Sequence, residues 1–275
     1  MLCACTGASG YSSVTSDSFF RFFGEIIVVY GGLHSLQRSL AFLSCDLEMT
    51  HTKLHRDVIA CQLCPRLVAH REMVSQVKVK RFRDQSYWGK PVPGFGDPKA
   101  KVLIIGLAPG AQGSNRTGRA FTGDRSGELL YQVLYDTGLC NQAMSVSRND
   151  GLALMRCYIT AAVRCAPPAN KPLPEEFDAC RPYLVHELEL LKNVSVVVAL
   201  GKLAFDQYLK TCRVMGYEIP SPRPQFSHGA VVPLSWGITL LASYHPSQQN
   251  TQTGKLTYTM FAQIFSKAQA LLDAT

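Results

Sequence analysis

The sequence predicts an α/β protein, a three-layer α/β/α sandwich built around a four-stranded parallel sheet. Short continuous runs of Val, Ile and Leu alternate along the chain with longer amphipathic segments. Continuous apolar strands of this kind are typical of a parallel sheet that helices cover on both faces. The chain has 275 residues, of which 47% are hydrophobic, and this is enough to bury a substantial core.

Four predicted strands and four predicted helices follow one another from residue 101. The strands are short runs made mainly of apolar residues, whereas the helices place apolar residues three and four positions apart. In chain order the segments are strand Lys101–Leu107, helix Ser126–Leu139, strand Tyr158–Val163, helix Glu175–Leu191 (in which Pro182 favours a kink or a restart), strand Val194–Leu200, helix Lys202–Cys212, strand Ile238–Ser243 and a helix from about Lys255 to Leu272.

The first 48 residues differ in composition from the rest of the chain. They begin with a stretch rich in Ser, Gly and Thr and show no clear period, whereas Met49 opens a helical pattern with Leu54, Val58 and Cys61 on one side. We therefore expect residues 1–48 to be a dispensable, disordered extension or a misassigned start, and residues 49–275 to form one domain. The alternative is a genuine but poorly ordered tail.

Charge and hydropathy indicate where the protein acts. The apolar segment Phe19–Leu33 carries Arg21 and Glu25 and is too short for a membrane span, and residues 1–18 have no basic residue to open a signal peptide. We therefore expect a cytoplasmic protein without a membrane partner. The formal net charge of +8 favours polyanions such as nucleic acid, although charge alone leaves that question open.

Unusual polar sequences follow three of the predicted strands, at the sheet edge where α/β proteins bind ligands. They are GLAPGAQGSNRTGRAFTGD (106–124), RCAPPANKP (164–172) and YHPSQQN (244–250). The first is neither a P-loop nor GxGxxG, which makes a nucleotide-dependent enzyme the weaker interpretation. Asp124 before a helix is by itself more often an N-cap than a catalyst. Together with His245 and Asn250 it forms a candidate catalytic cluster.

Four of the ten cysteines have spacings that suggest ligands. Cys61 and Cys64 form a CxxC, Cys165 lies at the end of the second strand, and Cys180 lies in the following helix. A zinc ribbon would need a second CxxC, whereas an iron–sulfur cluster takes four cysteines. The spacing therefore favours a cluster, with zinc or unliganded thiols as the alternatives.

These motifs, with HGA at 228–230, resemble those of the iron–sulfur uracil-DNA glycosylases, specifically the type 5 branch, from about residue 55 to 270. The resemblance implies a catalytic domain that excises uracil from double-stranded DNA in base excision repair, acting as a monomer on chromosomal DNA. It also implies a [4Fe–4S] cluster on Cys61, Cys64, Cys165 and Cys180. Other deaminated bases, such as hypoxanthine, are further expected substrates.

The resemblance also implies roles for individual residues. Asp124 would stabilise the sugar cation or orient water, since the stretch from Pro109 to Gln112 has no carboxylate, and Gln112 itself departs from the His common there. His245 would donate a hydrogen bond to the departing base, and Asn250 would hold water or the base. The residues expected to bind the substrate are Gly106, Ala108, Pro109, Gly110, Phe121 and Asn170. Phe121 is the candidate for stacking on the base, with a core position as the alternative, and Asn170 is the candidate for reading it because Ala161 replaces the Asn of the type 4 branch.

Two other classes of function remain as alternatives. A non-catalytic iron–sulfur protein that binds DNA lesions would keep the fold without turnover, although the joint presence of Asp124, His245 and Asn250 argues against it. An iron–sulfur electron carrier would need an exposed cluster and a redox partner.

The basic run Lys78–Arg83 fits phosphate contacts as well as a solvated surface.

Overall fold

The computed structural model describes residues 49–274, so the predicted extension 1–48 lies outside the described residues. This part of the chain alternates between helices and strands. The elements are α1 (His51–Ala60), α2 (Pro65–Gln76), β1 (Phe95–Gly96), β2 (Val102–Gly106), α3 (Ser114–Thr117), α4 (Arg125–Asp136), β3 (Cys157–Ala161), α5 (Pro174–Leu190), β4 (Val196–Leu200), α6 (Lys202–Val214), β5 (Val231–Pro233), β6 (Thr239–Ser243), α7 (Gln248–Gln252) and α8 (Tyr258–Asp273), with 3-10 turns at Lys80–Phe82 and Pro168–Asn170.

The sheet has its strands in the order β1-β3-β2-β4-β6-β5. Its four central strands are parallel, which confirms the predicted parallel sheet. The prediction of four strands was wrong at the edges, where β1 and β5 add antiparallel pairs. These edge strands have two and three residues, too few to show a period, and they contain the Gly and Pro that usually indicate loops.

Helices cover both faces of the sheet, as a three-layer sandwich requires. Alternate residues of β2 point to opposite faces, so that Val102 and Ile104 pack with α4 and α8, whereas Leu103 and Ile105 pack with α5 and α6. The carboxyl ends of the central strands therefore open between two packed layers. Within residues 49–274 no helix is both long and apolar enough to cross a membrane.

The helical pattern that opens at Met49 corresponds to two helices. Thr50 caps α1 by accepting a hydrogen bond from the backbone N–H of Lys53, and Pro65 occupies the first turn of α2. The interval Cys61–Cys64 separates them, so that the CxxC forms the turn between the two helices. Pro182, by contrast, lies inside one continuous α5.

A buried ion pair connects the end of β3 to α5. Arg164 is 1% exposed, and its guanidinium donates to both carboxylate oxygens of Glu187, with Nη1–Oε1 3.0 Å and Nη2–Oε2 2.5 Å. The hydroxyl of Thr160 also donates to Glu187. Because each partner compensates the other's desolvation, this cluster can remain charged inside the protein.

Candidate active site

The three loops singled out in the sequence line one cavity of about 870 Å³ at the carboxyl ends of the strands. The loop after β2 contributes residues 107–114, 120, 121 and 124–126, the loop after β3 contributes Ala169 and Asn170, and the loop after β6 contributes His245 and residues 247–249. A cavity of this size holds a nucleobase or a molecule of similar size. The predicted site residues Ala108, Pro109, Gly110, Phe121, Asp124, Asn170 and His245 all lie in its wall.

Asp124 is both a helix cap and a wall of the cavity. Its Oδ1 accepts a hydrogen bond of 3.0 Å from the N–H of Gly127, which caps α4. Its Oδ2 lies so close to Gly113 that a Cβ there would be 1.9 Å away, and a Cβ on Gly110 would be 2.9 Å away. The two glycines thus make room for the carboxylate.

No ion pair compensates Asp124 within the described part of the chain. Burial raises the pKa of its carboxyl above the usual range, although the backbone N–H groups of Gly127 and Ser126 and the more distant Arg116 oppose this shift. A desolvated carboxylate with little compensation is a strong hydrogen-bond acceptor and a fixed negative charge. Such groups are typical of functional sites.

His245 faces the same cavity from the end of β6. Burial lowers the pKa of its imidazole to about 4, so the ring is neutral at pH 7 and one of its nitrogens carries a proton. The amide nitrogen of Asn250 donates a hydrogen bond of 2.8 Å to the carbonyl of His245. Asn250 thus anchors the backbone of His245 and is not among the described residues that line the cavity.

The ring of Phe121 lies between the end of β2 and His245. A Cβ on Gly106 would be 2.9 Å from the Phe121 ring, which explains how Gly106 belongs to the site without lining the cavity. The centroids of the Phe121 and His245 rings are 5.9 Å apart. Phe121 has a φ of +52°, a left-handed conformation rare outside glycine, so the fold holds this ring in place at a cost in backbone energy.

The loop after β3 contributes a second strained segment. Ala169 and Asn170 have φ values of +53° and +56°, and both line the cavity. The side chain of Asn170 is exposed at the rim, while Ala161 lies in the wall. Together with Phe121, this leaves three left-handed non-glycine residues around one cavity.

Sequence reasoning missed an arginine and aromatic cluster at the rim. The Arg116 guanidinium lies 3.9 Å from the Phe82 ring centroid and donates to the carbonyls of Gln112 and Gly123. The Gln112 side chain, in turn, accepts a hydrogen bond of 2.6 Å from the hydroxyl of Tyr87. The sequence offered two signals for this cluster, the aromatic residue inside the basic run 78–83 and the cation Arg116 in the loop after β2.

The cysteine group lies beside α2. Cys64, Cys165 and Cys180 belong to one apolar cluster, and Cys61 is connected to it through Arg71. The Nη1 of this arginine lies 3.1 Å from the Cys165 Sγ and 3.3 Å from the Cys61 carbonyl. The Nε of the buried Arg71 has no partner among the described residues. Within those residues no three His, Cys, Asp or Glu side chains are arranged to hold a metal ion.

Comparison with known proteins agrees with this geometry. The family model of the Uracil DNA glycosylase superfamily matches residues 93–269. The chain is 52% identical over 212 residues to a type-5 uracil-DNA glycosylase of Thermus thermophilus. This alignment covers 77% of this chain and 94% of the relative. The chain is 49% identical over 220 residues to that of Mycobacterium bovis (80% and 81%) and 45% identical over 213 residues to that of Pyrobaculum aerophilum (78% and 89%).

The matched region includes the sheet and all three loops that line the cavity. High identity over most of both chains, in a region that builds one site, establishes common descent and a common fold. The chain belongs to the uracil DNA glycosylase superfamily and, within it, to the type-5 uracil-DNA glycosylases.

Proposed function

We propose that this chain excises uracil from double-stranded DNA by hydrolysing the N-glycosidic bond, and so opens base excision repair. One observation carries the proposal: the wall of a single cavity contains both the Asp124 carboxylate and the neutral imidazole of His245. Asp124 has no ion-pair partner in residues 49–274. Each group matches one of the two charges that develop when the bond breaks.

Access to the bond requires the nucleotide to leave the base stack. Flipping costs a few kcal/mol and costs least at a mismatch such as U·G. The ring of Phe121 is placed in the wall to stack on the flipped base, and the adjacent Ala108, Pro109 and Gly110 present backbone at close range. Asn170 at the rim is the proposed contact for the base edge.

The bond between N1 of uracil and C1′ of the sugar then breaks with its electron pair going to the base. The N–H of His245 donates a hydrogen bond to the developing uracil oxyanion, while Asp124 stabilises the cationic sugar. Water adds to C1′, and its proton passes to Asp124, whose raised pKa suits it to accept one. The uracil anion takes up a proton from solvent as it leaves and Asp124 releases its proton to solvent, so the products are free uracil and an abasic site.

Other deaminated bases are proposed as further substrates. A cavity of about 870 Å³ exceeds the needs of a pyrimidine and accommodates a purine such as hypoxanthine. The test is single-turnover cleavage of duplexes with U·G, U·A, hypoxanthine·T or normal pairs. Alkali-labile breaks at uracil and hypoxanthine support both proposals, and breaks at uracil alone overturn the wider one. Tight binding without any cleavage would make the chain a lesion-binding protein.

A [4Fe–4S] cluster on Cys61, Cys64, Cys165 and Cys180 is proposed as the cofactor. The donor set consists of thiols, and the unpartnered Nε of Arg71 beside them is a donor that lacks an acceptor. Bound there, the cluster would cross-link the α1–α2 turn, the loop after β3 and α5. Iron and sulfide content per chain, with Cys180→Ser as the comparison, tests this.

Double-stranded DNA is the proposed partner of a monomer that acts on chromosomal DNA in the cytoplasm. Arg81 and Phe82 of the basic run line the cavity rim, as do Gln248 and Gln249 of the loop after β6. The two glutamines are the proposed contacts with the minor groove beside the flipped nucleotide. Sedimentation of the chain alone and with a short duplex measures both the oligomeric state and the stoichiometry.

A further inference from the structure

A second loop, between α4 and β3, packs against the turn that carries Asp124. Asp150 organises this loop by accepting hydrogen bonds from three backbone N–H groups, those of Val146 (2.8 Å), Ser147 (3.1 Å) and Leu152 (3.1 Å). Burial acts to raise the pKa of the Asp150 carboxyl, but a hydrogen bond from Arg119 and these three backbone bonds hold it well below its usual range. Hydrogen bonds to one side chain thus hold the loop together, although it has no helix or strand of its own between residues 141 and 153.

Arg119 connects this loop to the turn 119–124. The guanidinium is 3% exposed and donates to both carboxylate oxygens of Asp150, at 2.8 and 2.7 Å. It also donates to the hydroxyl of Ser145 at 2.7 Å and to that of Thr122 at 2.9 Å. A planar fork with several donors holds several acceptors in fixed mutual positions.

Ser145 makes the remaining contacts with the turn. Its hydroxyl lies 2.7 Å from the Thr122 hydroxyl, and its carbonyl accepts a hydrogen bond of 3.2 Å from the N–H of Gly123. Gly123 directly precedes Asp124 and has a φ of +83°. Ser145 thus contacts the two residues that come before the carboxylate, and it does so from a buried position.

We propose that Ser145, held by Arg119 and Asp150, is a positioning residue for Asp124. This inference rests on the proposed role of Asp124 in excision. The turn contains two left-handed residues, Phe121 and Gly123, and strained backbone persists only where its surroundings over-determine it. The hydroxyl and carbonyl of Ser145 make the contacts that hold this backbone in place, so the loop fixes how deeply the Asp124 carboxylate lies in the cavity wall.

The test is Ser145→Ala in the full chain with its native cofactor content. The control is Thr211→Ala on α6, which also removes a buried hydroxyl that accepts a hydrogen bond from an arginine, Arg181, but lies away from the cavity. We expect Ser145→Ala to lower the single-turnover rate roughly tenfold or more without weakening DNA binding, because a small misplacement of a catalytic group is costly. Thr211→Ala should leave the rate unchanged.

The pH dependence of the rate distinguishes positioning from general stability. Arg81, Arg116, Arg125, Glu128 and His245 are the charged or titratable groups near Asp124 or in the wall of the same cavity, and both variants keep them. Loosening the turn admits water to Asp124, so its pKa falls and the acidic limb of the rate profile moves to lower pH. If the limb stays in place and Ser145→Ala changes only the melting temperature, the inference is overturned.

Two further results keep the test decisive. Thr122→Val removes the partner hydroxyl at nearly constant volume and should shift the acidic limb of the rate profile to lower pH as well. This variant serves as the test if Ser145→Ala does not fold. Wild-type protein that cleaves no uracil duplex contradicts the proposed function. If the wild type cleaves and Ser145→Ala and Thr122→Val both cleave at the same rate, only the positioning role is contradicted.

Discussion

Two acidic residues near the strand ends, Glu187 and Asp124, are treated in opposite ways by the fold. Glu187 is 0% exposed and is paired with Arg164 and Thr160 through hydrogen bonds of 2.5 to 3.0 Å. Asp124 borders a cavity and receives hydrogen bonds from the backbone N–H groups of α4 without any ion pair among residues 49–274. The first arrangement holds β3 to α5, and the second leaves a charge available to a ligand.

The difference shows how burial and pairing separate structural from catalytic charge. A buried carboxylate that is fully compensated is inert, because its hydrogen-bonding capacity is already used. A desolvated carboxylate with little compensation interacts strongly with a cation that appears beside it. The two buried basic groups also differ. The imidazole of His245 stays neutral, whereas the guanidinium of Arg164 keeps its charge because a carboxylate pairs with it.

The largest effect on stability should come from breaking the paired site. Glu187→Gln leaves the Arg164 guanidinium buried without its counter-ion, and such losses cost about 3–5 kcal/mol of unfolding free energy. Asp124→Asn should leave that free energy unchanged or raise it, because Asn still caps α4 and a desolvated charge is removed. Denaturant unfolding measures both. Equal destabilisation of the two variants would erase the contrast.

The largest effect on rate away from Asp124 itself should come from Gly113→Ala. The new Cβ would lie 1.9 Å from Oδ2, so the carboxylate must move, and a shift of about 1 Å can cost as much as 10²-fold in rate. Single-turnover cleavage of a U·G duplex measures this. Gly138→Ala is a comparison with nothing within 4 Å of its Cβ, although its positive φ adds strain. If Gly113→Ala cleaves at the wild-type rate, the close approach of Gly113 does not fix the position of the Asp124 Oδ2.

A smaller effect concerns acid stability. Because burial lowers the pKa of His245 from 6.5 to about 4, the unfolded chain binds a proton in this range before the native protein does. The unfolding free energy therefore falls as pH falls through this window, and His245→Gln should show a shallower fall. Thermal melts from pH 7 to pH 4 measure it, with His186→Gln, on the partly exposed surface of α5, as control. Parallel curves for wild type and His245→Gln would contradict a buried neutral imidazole.

The smallest effect should appear in the salt dependence of DNA binding. Arg81 lines the cavity rim, and losing one phosphate contact reduces the slope of log K against log salt by about 0.9. Charge reversal at Lys80 and Arg81 should flatten the slope, whereas reversal at the exposed Lys267 on α8 should affect it less. An unchanged slope at Lys80 and Arg81 would make the run 78–83 a solvated surface.

The sequence predicts the centre of this fold better than its edges. Continuous apolar runs such as Val102–Gly106 can be recognised because burial on both faces demands them. The loops after the strands can be recognised by their polar and glycine-rich composition. The edge strand Phe95–Gly96 is too short to show any period, and its pairing with β3 depends on contacts distant in sequence.

Within the site, the kinds of residue could be predicted but their arrangement could not. Asp124 follows from its place before a helix, yet the sequence cannot show that it caps α4 and faces the cavity at once. The role of Asn250 as an anchor for His245 depends on a backbone contact. Ser145 and Asp150 show no sequence signal, because their loop has no period and the turn 119–124 that they contact lies more than twenty residues away.

The most direct test of the central claim is single-turnover cleavage of a U·G duplex by Asp124→Asn, with Asp136→Asn at the exposed end of α4 as control. Both proteins should bind the duplex as tightly as wild type. We expect a fall of about 10²-fold or more for Asp124→Asn and none for the control, since Asn retains the helix cap but neither charge nor basicity. An unchanged rate for Asp124→Asn with binding intact would contradict it.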